Sequence, residues 1–359
     1  MQSSLLLPSQ IAAGALVGAR PEAPGLDAVL TFGDVPGEYA AARERCVVFD
    51  VTDRGGLSVA GKDATPFLHR ILANDVRGLE VGRGNRNLLL TPKGKVVSLF
   101  DLAREENSIE LSTPPGNQEA LAKAIDLFLF SEDVRLTGNG ELRAPLELVG
   151  PAARTVVARA IAVAPETLDA LADHATLRAA DGTRVTALRV CGLPGLRVDA
   201  GPERAAALHA ALTGAGAVPA GVVVRDILRV EAGAALFGVD VDENVYPQEA
   251  RLDDAFSLDK GCFVGQEVVA KIDTYGGLNK RLLALAVEHD DPVPPGTRLL
   301  ARDEGARDLG QVTSWAYSFV LDTGLVLAYV KRKHQDPGTA FSLSDGRGTA
   351  SVVPFPAGD

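Results

Sequence analysis

At 359 residues the chain is long enough for two or three domains. Its 46% hydrophobic and 23% charged residues describe an ordinary globular protein with a mostly aliphatic core. A net charge of −11 excludes a global nucleic-acid platform, because phosphate neutralisation needs a basic face.

Residues 1–40 are rich in small residues and prolines and read as a surface-wrapping lead-in with a short strand near Ala28–Phe32. Val47–Asp50 and Gly56–Ala60 read as strands. Asp63 then reads as an N-cap for a helix whose apolar face is Phe67, Leu68, Ile71 and Leu72. Asn87–Leu90 and Lys95–Leu102 are expected as a hairpin around Thr91-Pro-Lys-Gly94, followed by a strand at Ser108–Ser112, a helix over Glu119–Phe130 and a strand at Val134–Thr137. Gly82 and Gly84 lack the third glycine of a dinucleotide loop and serve a turn. Residues 145–225 predict a second half of similar make, with helices over 151–162, 165–173 and 202–213. After residue 280 the pattern becomes short strands and turns, a small all-β barrel. The expected domains are 28–140, 141–280 and 281–357, and the fold class is α+β with a C-terminal β-barrel.

Cys46, Cys191 and Cys262 are widely spaced and odd in number, so neither a disulfide framework nor a self-contained zinc site is implied. The five histidines form no metal-binding pattern. A reducing cytoplasm is the expected compartment. The N-terminus is a poor signal peptide, and no stretch approaches the ~18 apolar residues that span a bilayer.

The chemistry concentrates between Arg225 and Arg281. Ile227, Leu228 and Ala235 sit at helical spacing on one apolar face, and Glu231 falls on the same face. A carboxylate there costs roughly 3 kcal/mol or more unless paired. One reading, favoured on these residues alone, is an ion pair with Arg225 or Arg229; the other is a ligand offering two adjacent N–H donors. In Lys260-Gly-Cys-Phe-Val-Gly-Gln-Glu267, Gly261 and Gly265 allow sharp turns around Cys262, and Lys260 favours a thiolate. Most free cysteines are small buried residues, but these neighbours describe a presented thiol. Lys260, Lys271, Lys280 and Arg281 are candidates for a local basic patch suited to a small polyanion such as a glutamate tail.

The run RVEAGAALFGVDVDENVYPQEA, then KGCFVGQEVVAKI and NKRLLAL, resembles the YgfZ-type folate-binding proteins, relatives of the glycine-cleavage T-protein (aminomethyltransferase). The likeness extends back to CVVFDVTDRGGLSVAGKDATPFLHRILANDV and forward to LGQVTSWAYS. It implies T-protein-like folate-binding domains around a central cavity, with tetrahydrofolate or another folate as cofactor. Glu231 then matches the carboxylate that holds the pterin, Lys260 falls near the folate where T-proteins have an arginine, and Asn74 and Asp75 line the same cavity or simply cap the first helix. Gln266 and Glu267 brace the cysteine loop, and Cys262 is the reactive residue.

T-proteins carry an aspartate pair after their Gly-Gly hairpin, one of them catalytic. By register that pair falls here on Ser98 and Leu99. Asp101 lies two residues on, displaced by about 7 Å along the strand, and reads as a structural strand-end carboxylate. The resemblance therefore implies support of iron–sulfur cluster assembly or repair, with indirect effects on tRNA modification and with iron–sulfur assembly proteins or client enzymes as partners. The alternative is a tetrahydrofolate-dependent aminomethyltransferase or demethylase, and a blander third is a folate-binding scaffold. Neither direct nucleic-acid contact nor a membrane is expected.

Overall fold

The computed structural model describes residues 3–20, 22–303 and 305–355. The chain divides into two compact units: residues 1–90, 97–225 and 255–264 form the first, and residues 91–96, 226–254 and 265–359 the second.

The first unit holds two main sheets. Strands Gly84–Leu90, Val96–Arg104, Ser108–Thr113, Gly55–Ala60 and Arg135–Gly138 lie side by side in that order. Helices Ala64–Ile71 and Gln118–Asp126 close a core of Leu57, Phe67, Leu68, Leu111, Leu121 and Ile125. The six-stranded sheet runs Thr176–Arg178, Arg184–Val190, Leu193–Ala200, Ala144–Val149, Val47–Asp50 and Val218–Pro219. All six residues of Ala144–Val149 are buried, so this strand is covered on both faces. Period-two alternation sends Leu146 and Leu148 into an apolar core with helices Ala153–Ala160 and Ala205–Gly214. The same alternation sends Glu147 to the opposite face, where the register sets it directly across from Arg197.

In the second unit a six-stranded barrel closes in the order Lys280–Val287, Thr323–Lys331, Asp308–Ser318, Arg298–Leu300, Ala340–Leu343 and Thr349–Val353, the last pairing back to the first. Its interior is filled by Leu285, Leu299, Val312, Val326, Val330 and Phe341. The α+β class and the C-terminal barrel expected from the sequence are both present.

Several local expectations change. The lead-in is folded: Val35–Glu44 is a helix that buries Ala41 and Ala42, capped by Asp34, whose Oδ1 accepts from the Gly37 N–H at 3.0 Å. Asp63 makes no side-chain cap for Ala64–Ile71; its Oδ2 instead accepts from the Asp133 N–H at 2.8 Å. The helix expected to reach Phe130 stops at Asp126, and Phe128 and Leu129 meet the core from turns beyond its end. The helix Val222–Glu231 ends at Glu231, with Gly233 at φ +67°, so Ala235 lies beyond it and shares no helical face with Ile227. Gly233 also carries a close approach: a Cβ there would sit 2.2 Å from the Phe355 ring.

Candidate functional site

The cysteine loop is built by anchoring the residues just after the thiol. Phe263 is buried, and Val264 packs against the apolar core of the five-stranded sheet. Gly261, at φ +103°, takes a backbone conformation open to glycine and turns the chain before these anchors. Cys262 is left exposed, in contrast to Cys46, which is fully buried and whose thiol burial pushes up to about 12.

Cys262 opens onto a cleft of about 530 Å³ in the first unit, lined also by Phe67, His69, Arg70, Arg77 and Lys260. Lys260 is fastened to helix Ala64–Ile71 at both ends of its residue. Its carbonyl lies 2.9 Å from His69 Nε2, and its ammonium donates to the His69 carbonyl. Burial lowers the Lys260 ammonium to about 8; Asp75 opposes the shift and Arg77 adds to it. His69 is likewise lowered, first by burial and then by Lys260. The cleft thus combines a thiol with a cation that gives up its proton more readily than an ordinary lysine.

Asn74 and Asp75 join this region through His69, whose Nδ1 is 3.1 Å from Asp75 Oδ1. Neither caps helix Ala64–Ile71, which has Leu72 at its C-cap. Asp75 instead organises its own turn, accepting from the Arg77 and Gly78 N–H groups. The Asn74 N–H donates to Asn87 Oδ1 at 2.9 Å and its amide donates to the Arg86 carbonyl at 3.0 Å, tying the turn to strand Gly84–Leu90.

Glu231 belongs to the second unit and is 4% exposed. Of the two arginines named beside it, Arg225 binds Glu147, and Arg229 binds Asp226 and Asp240. Glu231 Oε1 accepts from Ser318 Oγ at 2.8 Å and from the Val320 N–H at 3.3 Å. The buried carboxylate is held by the barrel strand Asp308–Ser318 and the turn after it.

Gln266 and Glu267 open the helix Gln266–Tyr275, and Gly265 precedes it at φ +82°. Glu267 does not brace the cysteine loop; its carboxylate takes the Lys271 ammonium one turn on, at 2.6 Å on an exposed face. Residues named for a basic patch have local partners here. Lys280 sits over the Tyr329 ring at 4.5 Å, and Arg281 is 3.7 Å from Asp253.

Sequence reasoning missed two charged clusters. Arg229 Nη1 meets Asp240 Oδ2 at 2.9 Å, and Asp240 also accepts from Ser314, Thr313 and the Leu236 N–H. The signal was present: the arginine that opens RVEAGAALFGVD and the aspartate that closes it form one buried pair. In the first unit Arg197 bridges Glu147 and Asp101, each at 2.7 Å, while Arg225 holds the other oxygen of Glu147 at 2.6 Å. Asp101 is also 3.7 Å from Arg54. Burial opposes its ionisation, but Arg197 and Arg54 hold it well below the usual carboxylate range. Asp101 is therefore a structural counter-ion. At the aspartate-pair register, Ser98 is buried and donates to Asn117 Oδ1 at 2.6 Å, and Leu99 is packed. Among the described residues no group of three or more His, Cys, Asp or Glu side chains could hold a metal ion, and no helix is long and apolar enough to cross a membrane.

The GCVT N-terminal domain model matches residues 23–260, and the glycine cleavage T-protein C-terminal barrel domain model matches residues 280–359. An aminomethyltransferase of Thermus thermophilus is 31% identical over 328 residues, covering 86% of each chain. One of Rubrobacter xylanophilus is 30% identical over 341 residues, covering 92% of this chain and 88% of its own. The crystal structure of the glycine cleavage system aminomethyltransferase T from Bartonella henselae shares the fold, with a TM-score of 0.88 at 24% identity over 99% of this chain and 97% of that one. With two domain models and near full-length relatives in agreement, the chain belongs to the glycine cleavage T-protein family.

Proposed function

We propose that this protein binds tetrahydrofolate and acts on its one-carbon unit in the manner of a T-protein, with Glu231 as the carboxylate that takes the pterin's paired N–H groups. The observation that carries this reading is the buried Glu231, oriented by Ser318 and Val320. A carboxylate has about four lone-pair sites and can accept from several donors at once. Two parallel N–H···O⁻ bonds in a buried setting are charge-assisted and strong. Tetrahydrofolate, when bound, supplies the amine that accepts a one-carbon unit. Lys260 remains a candidate for a substrate carboxylate.

The test is anaerobic titration of tetrahydrofolate into wild type and Glu231→Gln, which keeps an acceptor for Ser318 but removes the charge. The variant is expected to bind about tenfold or more weakly. Equal affinity in the two proteins defeats the assignment of Glu231.

The exposed Cys262 and the absence of a carboxylate at Ser98 and Leu99 favour a second reading, the YgfZ-type role in iron–sulfur cluster maintenance. One thiolate cannot hold a cluster, which needs about four ligands, so a partner protein would supply the rest. Two measurements separate the readings. Formation of methylenetetrahydrofolate from an aminomethylated carrier supports the transferase. If instead wild type binds folate without turnover, and Cys262→Ala binds folate yet fails to restore iron–sulfur enzyme activity in a strain lacking the protein, the second reading stands. Full restoration by Cys262→Ala removes the thiol from the function.

A further inference from the structure

Glu231 is the last residue of helix Val222–Glu231, and the turn after it is closed by two backbone bonds. Gly233 stands in the left-handed region at φ +67°. Its N–H donates to the Val230 carbonyl at 3.1 Å, and the Ala234 N–H donates to the Arg229 carbonyl at 2.8 Å. These are the two bonds of the motif in which a left-handed glycine ends a helix. A carboxylate in the last turn of a helix faces the negative end of the helix dipole. Glu231 therefore occupies a place where its charge costs stability instead of adding to it.

An aromatic ring covers this turn. A Cβ on Gly233 would lie 2.2, 2.3 and 2.8 Å from three carbons of the Phe355 ring, so the ring fills the space where a side chain would stand. The Arg251 guanidinium lies over the same ring, 4.9 Å from its centroid. Arg251 is itself at φ +60°, in a second turn of the same kind, where the Leu252 N–H donates to the Pro247 carbonyl at 3.0 Å. Phe355 thus joins two left-handed turns of the second unit, and one of them follows directly on Glu231. Ser318 and Val320 anchor Glu231 at Oε1. The Cα end of the side chain is set by the helix terminus, and the helix terminus by the turn beneath Phe355.

We propose that Phe355 is a positioning residue for Glu231: its ring keeps the turn at Gly233 closed and so fixes the direction from which the carboxylate meets a ligand's N–H donors. This rests on the folate reading of Glu231, and Phe355 acts through that carboxylate.

The test is a double-mutant cycle on the intact protein. Tetrahydrofolate affinity is read by anaerobic titration for wild type, Glu231→Gln, Phe355→Ala and the combined variant. Phe355→Ala is expected to bind about fivefold more weakly than wild type. In the Glu231→Gln background the same change should alter affinity by less than about twofold, because the group that the ring positions has already lost its charge. An equal loss in both backgrounds marks a merely structural ring and overturns the proposal. Wild-type affinity in Phe355→Ala, with the loss in Glu231→Gln intact, also overturns it and leaves the folate reading standing. Equal affinity of wild type and Glu231→Gln defeats the folate reading itself, and the proposal falls with it. Should Phe355→Ala fail to fold, judged by circular dichroism, Phe355→Leu takes its place in the cycle and the same comparison decides.

Discussion

Asp240→Ala is expected to destabilise the second unit by about 3–5 kcal/mol, the range for breaking a buried ion pair from one side. The Asp240 side chain is completely buried and collects Arg229, Ser314, Thr313 and the Leu236 N–H. Alanine leaves the Arg229 guanidinium without its buried counter-charge and removes the acceptor from three further donors. Asp240→Asn keeps the shape and one carbonyl acceptor, so it should cost less than alanine and more than an exposed substitution. The measurement is guanidinium unfolding followed by the fluorescence of Trp315, the single tryptophan, which lies on the barrel strand Asp308–Ser318. A loss under about 1 kcal/mol for the alanine variant, the value of a surface pair, would mean that the cluster is not a structural support.

That cluster also marks how far the sequence could be read. The barrel was legible because its strands alternate and are separated by turn residues, as in Asp308–Ser318 with its alternation of buried and half-buried positions. The apolar face of helix Ala64–Ile71 was legible for the same reason. Helix ends were not. Val222–Glu231 stops where Gly233 takes a positive φ against the Phe355 ring, a contact more than a hundred residues away in sequence. Helix Val35–Glu44 was hidden because alanines and prolines suggested a wrapping segment, although Asp34 before Pro36 is a fair N-cap signal. The partner of a buried charge is equally non-local. Nothing around Glu231 indicates Ser318, and Glu147 was silent because a charge on a fully buried strand looks like an exception until the register brings Arg197 opposite. For the Cys262 loop the reverse holds: glycine at Gly261 and apolar anchors at Phe263 and Val264 are local, so exposure of the thiol could be inferred from neighbours alone.

Removal of Arg197 should be comparably damaging in the first unit, and here pH provides an independent check. Arg197→Met leaves the 1%-exposed Glu147 with Arg225 as its hydrogen-bonded arginine, and removes the Arg197 bond to Asp101. A loss of about 3–5 kcal/mol is expected. It should be read by amide hydrogen exchange in strands Ala144–Val149 and Leu193–Ala200, because Trp315 reports on the other unit.

Burial by itself would raise the Glu147 carboxyl, but Arg225, Arg197 and Arg54 outweigh it and hold it at about 2. A depressed carboxylate contributes stability that is fully present above its unfolded value of 4.5 and is lost as pH falls through about 2. The shift corresponds to about 3 kcal/mol between those limits. Asp53 works in the opposite sense: burial raises it to about 6 against the pull of Arg20, so its contribution falls as pH rises from the ordinary carboxylate range toward 6. The difference between wild type and Glu147→Gln cancels Asp53 to the extent that the two sites act independently. The wild-type advantage should therefore shrink steadily from pH 4.5 toward 2, and in Arg197→Met the same decline should be shallower. A pH-independent difference between wild type and Glu147→Gln would mean that the arginines do not hold Glu147 ionised, and the charged layer beneath the six-stranded sheet would have to be explained by packing alone.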